Sequence, residues 1–451
     1  MKMLARSATG LLLAALCLPL FSFAADTQAT EEFTLGNGLK VVVRQDHRAP
    51  VVVSQIWYKV GSSYESPGQT GLSHALEHMM FKGSAKLKPG EASLVLRELG
   101  AEENAFTSDD YTAYYQVLAR DRLPVAFELE ADRMASLRLP PEEFRSEIEV
   151  IKEERRMRTD DKPGSLAYER FKAMAFPGSG YGTPTIGWMA DLQRMSVEEL
   201  RHWYETWYTP NNATLVVVGD VTVAEVKTLA ERYFGPIPSR AVPTAKRPLE
   251  LAEPGERRIR LYLQTQLPSL LMGFNVPSLA TAEHPRDVHA LRLISALLDG
   301  GYSARLSSQL ERGEELVSGA SASYDAYKRG DSLFLLTATP NVQTGKTLAQ
   351  AEAGLWRQLE QLKTTLPTAD ELQRVRAQVI AGLVYGRDSI SSQASTIGQL
   401  ESVGLGWKLM DEDLAAIEAV TPEDIQQAAR TYFTRERLSV AEVLPKEKNH
   451  E

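Results

Sequence analysis

Polar and apolar positions change their period along the chain, and the changes predict strands and helices in turn. "FTLGNGLKVVVRQD" predicts a β-hairpin with Asn37 and Gly38 at its turn, and "VVVSQIWYKVGS" predicts the next strand. A helix is predicted around "HALEH", followed by the β-rich segment "ENAFTSDDYTAYYQVLA" and by long helices between residues 122 and 158. This order predicts an α+β fold whose strands are mainly antiparallel.

Two segments at an offset of 225 residues share one pattern. "MSVEELRHWYETWYTPNNATLVVVGD" and "VTPEDIQQAARTYFTRERLSVAEVLP" each predict a capped helix, a turn and an apolar strand, and Ser196 faces Thr421. Chance similarity between two helix–strand units would give the same pattern, but the equal position in each half favours duplication. The stretch "GPIPSRAVPTAKRPLELAEPGERR" carries five prolines and lacks hydrophobic periodicity. We therefore predict two repeats, 25–238 and 257–451, joined by a linker over 239–256.

The N-terminal segment has the pattern of a secretory signal peptide. Lys2 and Arg6 precede an apolar run from Leu11 to Phe21, and small residues lead to a predicted cleavage site after Ala24. The run is too short to span a membrane. We therefore expect an exported, periplasmic chain without a stable membrane anchor.

Removing residues 1–24 also removes Cys17, the one cysteine of the chain. Disulfides and thiolate ligands are then excluded, so any metal must be held by His, Asp or Glu. The formal net charge of −9 becomes −11 once the positive charges of Lys2 and Arg6 are subtracted. This acidic balance argues against nucleic acid or anionic lipid as a partner.

The helix predicted within "GLSHALEHMMFKGS" has Thr70 as its candidate N-cap and Gly83 as its candidate end. At about 100° per residue, His74, Glu77 and His78 fall on one side of the helix. The opposite side is apolar and consists of Leu72, Ala75, Leu76, Met79 and Met80.

Histidines four residues apart on a helix can share one metal ion, and a glutamate beside them is placed to accept a proton from an attacking water. An ordinary amphipathic helix, a polar surface patch or a chance pattern would also account for the two histidines. A third ligand would be needed, and it is sought in "PPEEFRSEIEVIKEERRMRTDDKPG". In this predicted helix Glu143, Glu147 and Glu154 lie on one stripe, whereas Glu149 and Glu153 are rotated away from it. On composition alone, an ordinary acidic helix face is the favoured interpretation of that stripe.

The order of these motifs carries a resemblance. His74-x-x-Glu77-His78 is the inverted zinc motif, Glu154 follows His78 by 76 residues, and Glu147 stands seven residues before Glu154. Together with "NAFTSDDYTAYY" and "GYGTPTIGWMADLQRMSVEEL", they resemble the pitrilysin and mitochondrial processing peptidase family over nearly all of the mature chain. The likeness is greatest to the short bacterial members, which contain two repeats. It implies two homologous repeats, each a mainly antiparallel sheet packed with helices, that form half of a clamshell peptidase.

The resemblance also implies site roles. His74, His78 and Glu154 would bind one zinc ion per chain, Glu77 would be the general base, and Glu147 would orient a ligand.

Peptide substrates would pair with a sheet edge at Asn104 and Ala105. A plain turn residue is the alternative for Asn104.

The sequence departs from the family at one point. Family members supply an Arg and a Tyr, seven residues apart, to the developing oxyanion. In "LLDGGYSARLSSQLERGEELVSGASASY" those two positions are Glu311 and Ser318. The resemblance therefore implies a catalytic subunit of a heterodimer, an exported zinc metalloendopeptidase that cleaves peptides or small unfolded polypeptides while a homologous partner supplies the pair. The alternative is a non-catalytic exported subunit that binds peptides or zinc.

Overall fold

The computed structural model of the protein describes residues 29–446. The predicted signal peptide, 1–24, lies outside the described residues. Within residues 29–446, none of the helices combines the length and the apolar character that crossing a membrane requires.

The first sheet contains six strands in the order β1-β2-β6-β3-β5-β4. They are β1 (Thr30–Thr34), β2 (Lys40–Gln45), β3 (Val51–Tyr58), β4 (Glu102–Thr107), β5 (Thr112–Ala119) and β6 (Ala213–Gly219). Neighbouring strands are antiparallel except β2 and β6, which are parallel. The predicted hairpin is confirmed, and Gly38 at its turn has a φ of 86°, which glycine adopts without strain.

The second sheet repeats this arrangement without the outermost strand. Its order is β7-β11-β8-β10-β9, and β7 and β11 form the parallel pair. The strands are β7 (Arg257–Leu263), β8 (Ser269–Val276), β9 (Val317–Tyr324), β10 (Ser332–Pro340) and β11 (Leu438–Pro445). The predicted α+β class with two mainly antiparallel sheets is confirmed.

Helices surround both sheets. In the first half they are α1 (Leu72–Met79), α2 (Glu91–Glu98), α3 (Leu123–Ser136), α4 (Pro141–Arg155), α5 (Pro163–Ala175), α6 (Met189–Leu192), α7 (Val197–Trp207) and α8 (Val223–Tyr233). In the second half they are α9 (Pro285–Asp299), α10 (Leu348–Thr364), α11 (Ala369–Gly386), α12 (Ile390–Ser402), α13 (Leu409–Glu418) and α14 (Pro422–Tyr432).

The duplicated segment has the same local structure in both halves. Ser196 caps α7 and Thr421 caps α14, and each forms a capping box with the acidic residue three positions on, Glu199 or Asp424. Each helix is 11 residues long and leads through a short 3-10 turn into a strand. The structure confirms the predicted repeat.

Each half packs one helix against the sheet of the other half. Phe171 of α5 lies in a buried cluster with Leu271 and Val443 of the second sheet. Ile397 of α12 lies in a buried cluster with Val218 of the first sheet. One face of each sheet is therefore covered by a helix that lies on the other side of the proline-rich segment in the sequence.

Residues 234–256, between α8 and β7, form neither helix nor strand. The repeat boundaries at 25–238 and 257–451, around a linker over 239–256, remain a prediction. The packing does not define them, because α5 and α12 each pack on the sheet of the other half.

The tips of two hairpins meet where the halves join. Asp109, in the turn between β4 and β5, contacts Lys172 of α5 and Lys328 of the β9–β10 loop, both at 2.7 Å. Burial alone would raise the pKa of Asp109, but the two ammonium groups hold it below its usual value. Next to it, Asp110 accepts a hydrogen bond from the backbone N–H of Arg329 at 3.0 Å. We call these contacts the hairpin-tip cluster.

Candidate metal centre

The start of α1 is held by a buried carboxylate. The predicted N-cap, Thr70, is wrong: its hydroxyl donates to Asp191 at 2.6 Å, and Gly71 takes the cap position. Glu65 instead accepts from the backbone N–H groups of Gly71 and Ser73, both at 2.7 Å. Burial raises the pKa of Glu65 to about 8.

The helix ends at Met79, four residues before the predicted end at Gly83. The chain turns earlier because Lys82 N–H bonds to the Met79 carbonyl and Gly90 N–H bonds to the Phe81 carbonyl. The predicted apolar side is confirmed, since each of its members is buried: Leu72, Ala75, Leu76, Met79 and Met80.

The structure brings together the three predicted ligands. Nε2 of His74 lies 3.7 Å from Oε2 of Glu154, and Nε2 of His78 lies 3.3 Å from the same oxygen. One ligand atom from each residue lies within 4.8 Å of the other two. The two imidazoles come from α1 and the carboxylate from α4, so the packing of these helices forms the cluster.

The geometry of this cluster suits zinc. Two atoms that each lie about 2.1 Å from a tetrahedral zinc ion are about 3.4 Å apart, close to the observed 3.3 and 3.7 Å. Among the described residues, Oε2 of Glu154 is buried without a hydrogen bond. Two nitrogens and one oxygen match the ligand set of catalytic zinc sites, which leave a fourth position open.

His78 is oriented by Glu147, as the resemblance implies for that residue. Nδ1 of His78 lies 2.8 Å from Oε1 of Glu147, so the ring donates its N–H there and keeps the Nε2 lone pair for a metal. The hydrogen bond with His78 lowers the pKa of Glu147. Lys82 contacts the second oxygen of Glu147 at 2.5 Å.

The two imidazoles have different protonation behaviour. Burial, together with the positive charges of His78 and Arg158, lowers the pKa of His74 to about 3. Burial would also lower the pKa of His78, but the hydrogen bond to Glu147 and the charge of Glu154 outweigh it, so that pKa is raised.

The two carboxylate oxygens of Glu154 have different partners, Arg158 on one side and the two histidines on the other. Its Oε1 contacts Arg158 at 2.7 Å, while Oε2 faces the histidines. The neighbouring glutamates Glu149 and Glu153 point to solvent, with side chains 66% and 56% exposed. Glu154 therefore lies on a different side of α4 from these two glutamates.

Glu77 lies on the same side of α1 and is bound by β4. The hydroxyl of Thr107 donates to Oε2 of Glu77 at 2.5 Å. Burial raises the pKa of Glu77, although the hydrogen bond from Thr107 opposes the shift. A carboxylate with a raised pKa is a stronger proton acceptor than a solvated one.

A cleft of about 660 Å³ lies beside the cluster. Its lining includes His74, Glu77 and Glu154, together with Ala105, Phe106 and Thr107 of β4. β4 is an edge strand of the first sheet. Asn104 is exposed there, and its side-chain oxygen accepts from the backbone N–H of Ala105 at 2.9 Å. The predicted substrate residues thus lie on a strand with a free edge.

Glu311 and Ser318, which the resemblance predicts at the positions of the Arg/Tyr pair, both form hydrogen bonds within the second half. Glu311 accepts from the backbone N–H of Ala320 at 3.0 Å and from the hydroxyl of Ser307 at 3.0 Å. Ser318 donates to the carbonyl of Thr339 at 3.4 Å. Both side chains therefore stabilise β9 and its surroundings.

Four contacts of the site were missed by reasoning from the sequence. They involve Glu65, Lys82, Thr107 and Arg158. Lys82 and Arg158 each stand four residues after a predicted ligand, which is a helical spacing that could have indicated them. Thr107 and Glu65 carry no local signal, because they reach the site through tertiary packing.

Two family models match the chain. The model described as Insulinase (Peptidase family M16) matches residues 40–187, and the model described as Peptidase M16 inactive domain matches residues 194–379. Zinc protease PqqE of Helicobacter pylori is 33% identical over 369 residues, which cover 81% of this chain and 81% of that protein.

Solved structures share the fold. A protease from Helicobacter pylori has a TM-score of 0.86 at 29% identity, covering 93% of this chain and 100% of that one. The periplasmic protease PqqL from Escherichia coli has a TM-score of 0.79 at 17% identity, covering 94% of this chain and 48% of that one. The chain therefore has the fold of about one half of the longer protein.

Proposed function

Because this chain belongs to peptidase family M16, a family of zinc-dependent metallopeptidases, we propose that it is an exported zinc endopeptidase for peptides or small unfolded polypeptides. The observation that carries the proposal is the convergence of Nε2 of His74, Nε2 of His78 and Oε2 of Glu154 beside Glu77. These three atoms would hold one zinc ion per chain. Bound zinc polarises the scissile carbonyl and lowers the pKa of the attacking water to about 7.

Glu77 acts as the general base in this proposal. Thr107 occupies its Oε2, so Oε1 remains to take the proton from the attacking water and to pass it to the leaving amine. Glu147 keeps the Nδ1 proton of His78 in place throughout.

The substrate is proposed to add a strand to the free edge of β4. Once the Asn104 side chain releases the backbone N–H of Ala105, backbone groups at these two residues would pair with an extended peptide. Such pairing favours unfolded chains over folded proteins. The cleft beside β4 would receive the scissile bond.

A homologous partner subunit is proposed to complete the site. Glu311 and Ser318 supply no cation and no phenol, and Arg305, nearby in sequence, is paired with Glu371 at 2.8 Å. The fold matches half of a longer periplasmic protease, which is consistent with two such units enclosing one chamber. Export rests on the leader pattern of residues 1–24.

A non-catalytic subunit is the second candidate function. The missing Arg/Tyr pair and the match of residues 194–379 to an inactive-domain model favour it. The intact set of His74, Glu77, His78 and Glu154 argues against it, because a subunit that only binds peptides has no need of a base.

Glu77→Gln separates the two functions. The variant should keep about one zinc per chain, since Glu77 is not a ligand, and should lose most peptide hydrolysis because the proton acceptor is gone. Zinc would be measured by atomic absorption, and turnover on a peptide mixture by mass spectrometry, for the mature chain alone and with its co-purified partner. Glu98→Gln, on the exposed side of α2, is the matched control. Near-normal turnover by Glu77→Gln would refute the base assignment, and zinc-loaded wild-type protein that cleaves nothing in either form would favour the non-catalytic subunit.

A further inference from the structure

We propose that Thr107 is a positioning residue for Glu77, so that the strand proposed to receive the substrate also fixes the orientation of the base. The inference rests on the proposed peptidase function. It begins with the hydrogen bond between Oγ1 of Thr107 and Oε2 of Glu77, at 2.5 Å. That distance falls in the range of strong bonds from a hydroxyl to a carboxylate.

The bond restrains the carboxylate of Glu77, which makes no second hydrogen bond among the described residues. Glu77 has three side-chain torsions, and the last of them is broad and roughly twofold. Thr107 is β-branched and therefore stiff at its first torsion, and it lies in a strand. The hydroxyl is consequently a fixed donor, and it selects one orientation of the carboxylate, with Oε2 toward β4 and Oε1 left for the reaction.

The position of Thr107 couples this orientation to the substrate. Side chains two residues apart on a strand point to the same face, so Thr107 shares a face with Ala105. Both line the cleft together with Glu77. A peptide that pairs with β4 at Ala105 would therefore be set in register against the same strand that holds the base.

The end of β4 is anchored, so Thr107 is not part of a fraying edge. Thr107 pairs with Thr112 of β5, and Ser108 N–H bonds to the Tyr111 carbonyl at 2.8 Å. Two residues after Thr107, Asp109 is held by Lys172 and Lys328 of the hairpin-tip cluster. The second half of the molecule thus helps to fix the donor, although it contributes no ligand to the metal cluster.

The kinetic test compares Thr107→Val, which removes the hydroxyl but keeps the shape, with Thr107→Ser, which keeps the hydroxyl. Thr107→Val should lower kcat about 10- to 100-fold, the cost of a misplaced catalytic group, with KM within about twofold and zinc content unchanged. Thr107→Ser should restore most of the rate. Thr337→Val, which removes the hydroxyl bonded to Ser321 in the second sheet, is the matched control and should behave like wild type.

A double variant separates positioning from a general structural effect. If Thr107 acts through Glu77, then Thr107→Val should change the residual turnover of Glu77→Gln very little. Full additivity of the two losses, or wild-type kcat in Thr107→Val, would overturn the inference.

Crystal structures of the zinc-loaded wild-type, Thr107→Val and Thr107→Ser chains test the inference even if the protein has no turnover. We expect one orientation of the Glu77 carboxylate in the wild type and Thr107→Ser, and a rotated or multiple orientation in Thr107→Val. An identical carboxylate in all three would refute the positioning role. Absence of turnover in the wild type, with the expected rotation in Thr107→Val, would refute the proposed function alone.

Discussion

At the scale of single residues, the centre keeps both metal-facing nitrogens available by two different means. His74 stays neutral because burial lowers the pKa of its ring to about 3. The pKa of His78 is raised, but its Nδ1–H donates a hydrogen bond to Glu147. A metal ion would therefore take the place of a proton at Nε2. If zinc binds here as proposed, His78 is the ring that would release a proton.

The proposed ligand role of Glu154 gives a residue-scale prediction. Glu154→Gln should weaken zinc binding at least about tenfold, because an amide oxygen carries no charge for the ion. Affinity would be measured by competition with a chelating dye. The matched control is Glu153→Gln, one residue away, where the exposed side chain pairs with Arg156 at 2.8 Å. Equal losses in the two variants would show that the third ligand is wrongly placed.

Residue by residue, the sequence predicted most of the centre but not its supports. The helix period placed His74, Glu77 and His78 together, and the family resemblance, not the 76-residue spacing itself, selected Glu154. Thr107 could not be paired with Glu77, because 30 residues separate them and their contact depends on how β4 packs beside α1.

At the scale of elements, the start of α1 depends on a residue outside the helix. Glu65 binds two N–H groups that a capping side chain would otherwise satisfy, and it lies six residues before Gly71 in an irregular segment. Thr70 has the right residue type and position for a cap, but its hydroxyl is bound by Asp191. Sequence patterns within a few residues predict hairpins and helix faces well. They fail at this helix start because the long-range contact of Thr70 with Asp191 replaces the capping contact that the local sequence predicts.

This support predicts the effect of Glu65→Ala. Removing the carboxylate leaves two buried N–H groups unpaired, which should lower the free energy of unfolding by about 1–3 kcal/mol. Zinc affinity should fall as well, because His74 lies in the first turn of α1. Urea unfolding and dye competition measure the two effects. The exposed Glu98→Ala should change the unfolding free energy by about 0.5 kcal/mol or less, and a similar value for Glu65→Ala would contradict the capping role.

At the scale of the whole molecule, the two halves differ at the edge strands of their sheets. The first sheet presents a free edge at β4, whereas the matching edge strand of the second sheet, β9, is covered by acidic side chains. Glu311 binds the backbone N–H of Ala320, and Asp299 binds that of Ala322 at 3.1 Å. Glu311 thus serves the internal structure of the second half.

This difference predicts dependence on a partner. Mixing the chain with a similar exported protein that carries the Arg/Tyr pair should raise peptide turnover by about two orders of magnitude or more, since each oxyanion donor contributes about 10²–10³ in rate. Each purified chain alone and their equimolar mixture would be assayed on one quenched fluorescent peptide. Full activity of this chain alone, unchanged by the relative, would contradict the heterodimer.

The exchange of α5 and α12 between the halves has a consequence for how the chain can be made and divided. Synthesis from the N-terminus completes the strands of the first sheet at Gly219, but the helix that covers Val218 does not begin until Ile390. During synthesis, one face of the first sheet therefore stays exposed until most of the second half has been made. Each half therefore needs a helix of the other half to cover its sheet, and two fragments produced by a break in the proline-rich segment should remain associated.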